Sequence, residues 1–387
     1  MRLALWTPRP DAAWIAALLP LLQRDAAVEV VARETGRAPE VELDLYHVAD
    51  DPAHVFVHRA LCRRPGLVLL ADWGLHRLVR AATAGDAAAY LAEARRAHGE
   101  QGTFVARQVQ RGLGGEMLAS LLTLNDRVLE ASLGLVAFTE AIRARAAARL
   151  PERPVAHLPL DFVGRTEALP ARDEARAALG VRGDEALVAA LTLPGARALE
   201  RAGERVRARV QPWPEREDEA LALLAAADVA VALEHPARRG ILPQISRAVA
   251  AGLPTLVSAG SAAAAEMEEG VVVKVSPGPR ETEEVVALLA RLLDDPGLRR
   301  QVGALAGDHA RARRDPAPVA ASLLALAREV SATSADARRA FAADRAEEGT
   351  LLAWALEEVR RGARDLGLVG LPLGLEPLVG PLFGRPR

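Results

Sequence analysis

The sequence predicts an α/β protein made of two doubly wound parallel sheets, and three observations carry the prediction. Apolar runs of strand length recur at 3–6, 67–70, 133–138, 187–193, 229–233 and 255–258. They are continuous rather than alternating, as expected of strands covered by helices on both faces. Helix-length stretches with their own start and stop residues separate them. The chain has 387 residues, more than one ordinary core accommodates, so two such units are expected.

The first unit opens with the strand at 3–6 and a helix at 12–23, followed by strands at 28–31 and 43–48. A helix at 53–63 carries Val57, Ala60 and Leu61 and ends before Pro65-Gly66, ahead of the 67–70 strand. Helical stretches fill 75–97 and 101–122; the strand at 133–138, a helix at 140–150 and a strand at 155–158 close the unit. The polar, Pro-bounded stretch 159–173 reads as the linker. The second unit runs from a helix at 171–179, stopped by Gly180, into the 187–193 strand. A helix rich in Ala and Leu precedes the 229–233 strand, and a helix at 242–251 is stopped by Gly252 and Pro254 before 255–258. A strand at 271–275 and helices at 281–293 and 298–313 follow, the last two divided by Asp294-Asp295-Pro296. The tail has an amphipathic helical region at 335–361 with Phe341, Leu351 and Trp354 on its apolar stripe. Beyond 367 its prolines bar a long helix. Domains are thus expected at 1–165 and 166–330, with 331–387 a helical and Gly/Pro/Leu-rich tail packing back on the first.

Net charge is −2, so no whole-chain basic field points to nucleic acid. Cys62 is the only cysteine, which leaves no intrachain disulfide or Cys-rich metal site and fits a reducing cytoplasm. The N-terminus reads as a strand rather than a signal peptide, and no run is long and apolar enough to span a membrane. The expected location is cytoplasmic, with peripheral membrane or protein contact through the tail left open.

In parallel sheets ligands bind beyond the carboxyl ends of the strands. The loops 234–241 and 258–262 lie there, which brings forward Glu234, Arg238, Arg239, Gly240, Ser258 and Gly260. Arg238 and Arg239, with the N-terminus of the 242–251 helix, read either as a diphosphate site or as a solvated basic loop. Asp72 and His76 follow a buried strand; His76 reads as a group that meets a sugar hydroxyl, and Asp72 as a site residue or a helix N-cap. His54 and His58 are spaced i, i+4 with His47, Asp50 and Asp51 just before them, a spacing that also suits a metal-dependent hydrolase with Asp72 or His76 as third ligand. The blander reading has His54 lining a cleft and His58 partly exposed.

Two segments resemble the GT-B glycosyltransferases, and within them the large retaining group, family GT4. The first runs from Asp44-Leu-Tyr-His to His54 and on through Arg64-Pro-Gly to Asp72-Trp-Gly-Leu-His76. The second pairs the Ala-Ala-Asp-Val strand entry at 226–229 with the helix exit Arg247-Ala-Val-Ala-Ala-Gly252-Leu-Pro254. A weaker echo is Leu124-Asn125-Asp126-Arg127-Val128. The resemblance implies two Rossmann-like domains facing a cleft, a nucleotide-sugar donor (UDP- or GDP-sugar) as substrate, no cofactor and no metal. It also implies transfer of a hexose to a glycan, lipid-linked or small-molecule acceptor. Its phosphate-gripping pair falls on Arg197 and Arg201.

The chain departs from the family in three places. The loop after the first strand is Thr7-Pro-Arg-Pro-Asp11 rather than glycine-rich, and the first glycine is Gly36. The two spaced glutamates of the donor domain fall on Gly240 and Arg247, with Glu234 as a nearby carboxylate. A strand and a helix expected before Trp213 are missing, since 206–210 leads almost directly to it. These departures bring in a rival reading, a GT-B scaffold that binds a partner without turnover.

Overall fold

The computed structural model describes residues 1–34, 39–113, 115–164, 168–236, 240–335, 337–339 and 341. Six strands build the first sheet: β1 (Arg2–Trp6), β2 (Ala27–Val31), β3 (Leu43–Val48), β4 (Gly66–Leu70), β5 (Ser132–Ala137) and β6 (Val155–His157). Their order is β2-β1-β3-β4-β5-β6, with every pair parallel. Period-two alternation explains why the strands read as continuous apolar runs. Ala4, Trp6, Val68 and Leu70 enter the core on one face, while Leu3, Leu5, Leu67 and Leu69 enter the core on the other.

Helices α1 (Ala13–Asp25), α2 (Val55–Arg63), α3 (His76–Ala82), α4 (Ala87–Gln110), α5 (Gly115–Ser120), α6 (Asp126–Ala131) and α7 (Glu140–Arg149) belong to this unit. The two helical stretches expected between 75 and 122 form three helices. Asp86 starts α4 by accepting from Ala89 N at 2.9 Å. Gly99, at φ 62°, kinks it, and Gly112, at φ 77°, lies just beyond its end.

The second sheet contains β7 (Leu187–Ala190), β8 (Arg209–Pro212), β9 (Val229–Ala232), β10 (Thr255–Ser258) and β11 (Val273–Val275), in the order β11-β10-β9-β7-β8. All of its pairs are parallel too. Its helices are α8 (Arg172–Ala178), α9 (Leu193–Ala202), α10 (Glu217–Ala226), α11 (Pro243–Ala250), α12 (Ala262–Glu266), α13 (Glu281–Asp294) and α14 (Pro296–Arg313). The abridged stretch before Trp213 still supplies a sheet strand, β8, at the edge beside β7.

A further helix, α15 (Pro316–Thr333), crosses back to the first unit. Its Val319, Leu323, Ala327 and Val330 share a core with Leu3, Leu5, Ile15 and Leu18. It lies so close that a Cβ on Gly134 of β5 would come within 2.6 Å of Val330 Cγ2. The first core is therefore closed by residues that follow the second domain in the chain. Phe341 packs on the other face of the sheet, against the core that holds Ala4, Trp6, Val68 and Leu70. The rest of the expected tail, from 342 on, lies outside the described residues.

A carboxylate from the second unit caps a helix of the first. Glu266 Oε1 accepts from Glu140 N at 2.7 Å and from Ala141 N at 3.4 Å, at the start of α7. An anion there meets unpaired N–H groups and the positive end of the helix dipole. The His157 ring stands 3.7 Å from both Glu140 and Glu266.

Candidate functional site

In each sheet the chain turns back at one point in the strand order, between β1 and β3 and between β7 and β9. Loops diverge at such points and leave a crevice at the carboxyl edge. A buried or half-buried threonine ties each crevice. Thr7 Oγ1 is 3.0 Å from His47 Nδ1, and Thr192 Oγ1 donates to the Leu233 carbonyl at 2.6 Å. The two edges face one another across a cleft of ≈ 1950 Å³.

Asp72, His76, Glu234 and Arg247 all line this cleft, so the sequence brought forward residues from both walls of one site. His76 is the first residue of α3, buried, with Nε2 2.9 Å from the Tyr90 hydroxyl. Burial, then Arg80, lowers its pKa to about 4, so the ring is neutral at pH 7. Asp72 does not cap α3. Asp50 does, since its Oδ1 accepts from Arg77 N at 2.6 Å and Leu78 N at 3.1 Å, while Asp72 Oδ2 accepts from Asp50 N at 3.0 Å. The N-terminus of α3 is thus already occupied by a protein carboxylate. Glu234 is buried, and its N–H donates to Ser258 Oγ at 2.9 Å. Arg247 forks onto Glu217 at 2.9 and 2.7 Å and lies over the Trp213 ring at 5.5 Å.

Gly240 is not part of the lining, but it sits against the first-domain wall. A Cβ there would fall 2.3 Å from the Ala71 carbonyl oxygen and 2.8 Å from Asp72 Oδ1. The family's glutamate position is therefore seated against the opposite domain, with no room for a side chain. Ser258 ends β10 and Gly260 follows it, two strands from β7, and neither lines the cleft. Arg197 and Arg201 are exposed on α9 and do not line it either, although Leu193, Pro194 and Ala196 at the start of that helix do. Arg238 and Arg239 lie outside the described residues.

His54 and His58 do not share a face. His54 ends a short 3-10 turn, Pro52–His54, and α2 starts only at Val55, so the i, i+4 spacing spans a change of helix type. The His54 ring meets His47 edge-on at 4.8 Å, whereas His58 Nε2 faces Cys62 Sγ at 3.7 Å. His58 is buried rather than partly exposed. Burial lowers both pKa values to about 4. Among the described residues no group of three or more His, Cys, Asp or Glu comes together as a metal site, so the hydrolase reading finds no support in the fold.

Cleft residues outside the predicted site group include some, His47 and His54, that lie in the family-like segment and others that carry no motif. Trp14, His47, His54 and Phe138 form an aromatic floor under the first-domain wall. Arg77 and Arg80 line the cleft with exposed side chains. Trp213 follows the edge strand β8. The signal for Arg77 and Arg80 was their position just past Asp72 and His76, in the first turns of a helix that starts at a strand's carboxyl end. Helices α1 and α11 both start in the cleft, and their N-cap residues, Ala12 and Leu242, offer no side-chain cap among the described residues, which leaves the positive helix ends toward it.

Two facing parallel α/β sheets with a cleft between their carboxyl edges define the GT-B fold. The chain is similar to sucrose-phosphate synthase from Thermosynechococcus elongatus, with a TM-score of 0.53 and 14% identity, covering 86% of this chain and 100% of that one. It is similar as well to Anabaena HepE in complex with UDP and glucose, with a TM-score of 0.50 and 15% identity, covering 84% of this chain and 98% of the other. No family model matches the chain, and no curated protein matches it. At these identities the likeness establishes the fold. Among the described residues no helix is long and apolar enough to cross a membrane.

Proposed function

We propose that this protein binds a nucleotide sugar, UDP- or GDP-linked, in the interdomain cleft and transfers its hexose to an acceptor hydroxyl. The observation that carries the reading is the cleft itself, where Thr192, Leu233, Glu234 and Gln244 at the β7/β9 crevice face Asp72, His76, Arg77 and Arg80 on the other wall. The nucleotide lies along the second domain, with its base near Trp213 and its diphosphate toward the uncapped start of α11. Arg77 and Arg80 approach the charge from across the gap. In the reaction the bond from the sugar's anomeric carbon to the diphosphate oxygen breaks, and a bond to the acceptor oxygen forms. The acceptor proton leaves with the nucleoside diphosphate, whose growing charge the arginines and helix ends stabilise. His76, neutral and held by Tyr90, positions the acceptor hydroxyl. Glu234, fixed through Ser258, faces the sugar.

HepE was solved with UDP and glucose, which supports a sugar-nucleotide ligand for this fold. The test is a thermal-shift screen of nucleotide sugars followed by an assay for nucleoside diphosphate release. Stabilisation by one donor, because only the folded state binds it, and release dependent on His76 are the expected results. Absence of a shift with every donor removes the proposal.

The Gly240 contact favours one rival. Because that position is seated on Ala71 and carries no carboxylate, a sugar-nucleotide-binding scaffold without turnover fits the same geometry. It predicts a thermal shift with no diphosphate release in the presence of any acceptor.

A further inference from the structure

Six large apolar side chains are exposed among the described residues; Leu305 lies apart on α14, and the other five gather near the cleft. Phe104, Leu113, Met117 and Leu121 lie on the α4–α5 hairpin, and Leu193 stands at the start of α9. Leu113 and Leu193 also line the cleft, from opposite domains. Phe104 and Met117 are 64% and 68% exposed, so neither contributes to a core. Isolated exposed leucines need no explanation, but a cluster at the mouth of a site does.

The unpaired charges described beside Phe104 are arginines. Arg107 follows Phe104 at i+3 on the same face of α4, and Arg111 caps the end of that helix. Both arginines are exposed, and no carboxylate among the described side chains pairs with either. The neighbouring Glu100 is held by Arg95 at 2.8 Å. A surface that joins exposed apolar side chains to unpaired arginines suits an anionic lipid interface. A two-fold dimer through the same patch would bring four arginines together and take them from water, which is unfavourable.

We infer that the α4–α5 hairpin docks on an anionic lipid surface and holds the cleft mouth against it, so that the acceptor is a hydroxyl on a lipid-linked molecule. The acceptor class rests on the transferase reading; the docking does not. The lipid tail stays in the bilayer beside Phe104 and Met117 while the head group passes Leu113 into the cleft.

The experiment uses the full chain with sedimented vesicles of phosphatidylcholine alone or mixed with phosphatidylglycerol. The protein is expected to sediment with the mixed vesicles and remain in solution with the neutral ones. Arg107→Gln and Arg111→Gln should each weaken partitioning about fivefold. Phe104→Ser with Met117→Ser should weaken it about tenfold or more, with melting temperature unchanged because both sites are exposed. The variants should keep the nucleotide-sugar thermal shift of the parent. Vesicle binding without any donor-induced shift would retain the docking and remove the transferase reading. A donor-induced shift with no vesicle binding would do the reverse. Vesicle binding that all four substitutions leave intact places the contact elsewhere, and self-association lost in the Phe104 and Met117 variants makes the patch a dimer surface; either overturns the inference.

Discussion

Acid should unfold the first domain well before its carboxylates titrate. His54, His58 and His76 are buried, and desolvation lowers each from 6.5 to about 4. A base with a depressed folded pKa binds fewer protons folded than unfolded, so stability rises with pH across the window between the two values. Its contribution is complete above about 6.5 and is lost as pH falls toward about 4. Between pH 7 and pH 5 each histidine gives up a little under ~2 kcal/mol, so the three together ~5–6 kcal/mol, comparable with a domain's whole stability. His47 is lowered as well, by burial first and then His54 and Arg9, and adds in the same direction. Asp44 opposes them, because burial raises its pKa and its ionised form costs stability. The assay is urea unfolding followed by fluorescence of Trp6, Trp14 and Trp73, all in the first domain, at both pH values. Unfolding at pH 5 should take up close to three protons, and His58→Gln should remove about a third of the pH-dependent loss. A stability change below about 1 kcal/mol across the window would show that these rings are hydrated in solution, and the reasoning from burial would fail.

Three further outcomes are expected. Glu266→Ala should destabilise the protein by about 1 kcal/mol through loss of the α7 cap, read from the urea midpoint, whereas Glu268→Ala, two residues on, should change it little. Gly240→Ala cannot be seated against Ala71, so small-angle scattering should report a larger radius of gyration for it; an unchanged radius means that the contact does not hold the domains together. Arg247→Ala frees Glu217 and uncovers Trp213, and should weaken donor binding about tenfold or more without unfolding the second domain, as calorimetric titration and far-ultraviolet dichroism will show.

The sheets were legible because parallel strands buried on both faces leave an unbroken apolar run. The 229–233 and 242–251 expectations match β9 and α11 to within a residue at each end. The Leu298 start expected for α14 lies two residues inside the observed one, since Asp295 caps the helix by accepting from Leu298 N and Pro296 occupies its first turn. α15 was not foreseen, because its apolar stripe resembles any amphipathic helix and nothing local says which domain it covers. The site was half legible. Asp72, His76 and Glu234 follow strands and could be placed from sequence order alone. Arg197 and Arg201 were assigned by likeness to the family, but where an arginine points depends on helix rotation, and both are exposed away from the cleft lining. Trp213, Arg77 and Arg80 carry no motif, and only the fold brings them to one space.

The central claim is that a nucleotide sugar occupies the gap between the two sheets. Equilibrium titration of UDP- and GDP-sugars into the full chain and into Trp213→Ala tests it most directly. Saturable binding by the parent, lost or weakened at least tenfold in the variant, is the predicted result. Binding that Trp213→Ala leaves untouched, or no binding of any sugar nucleotide, contradicts it.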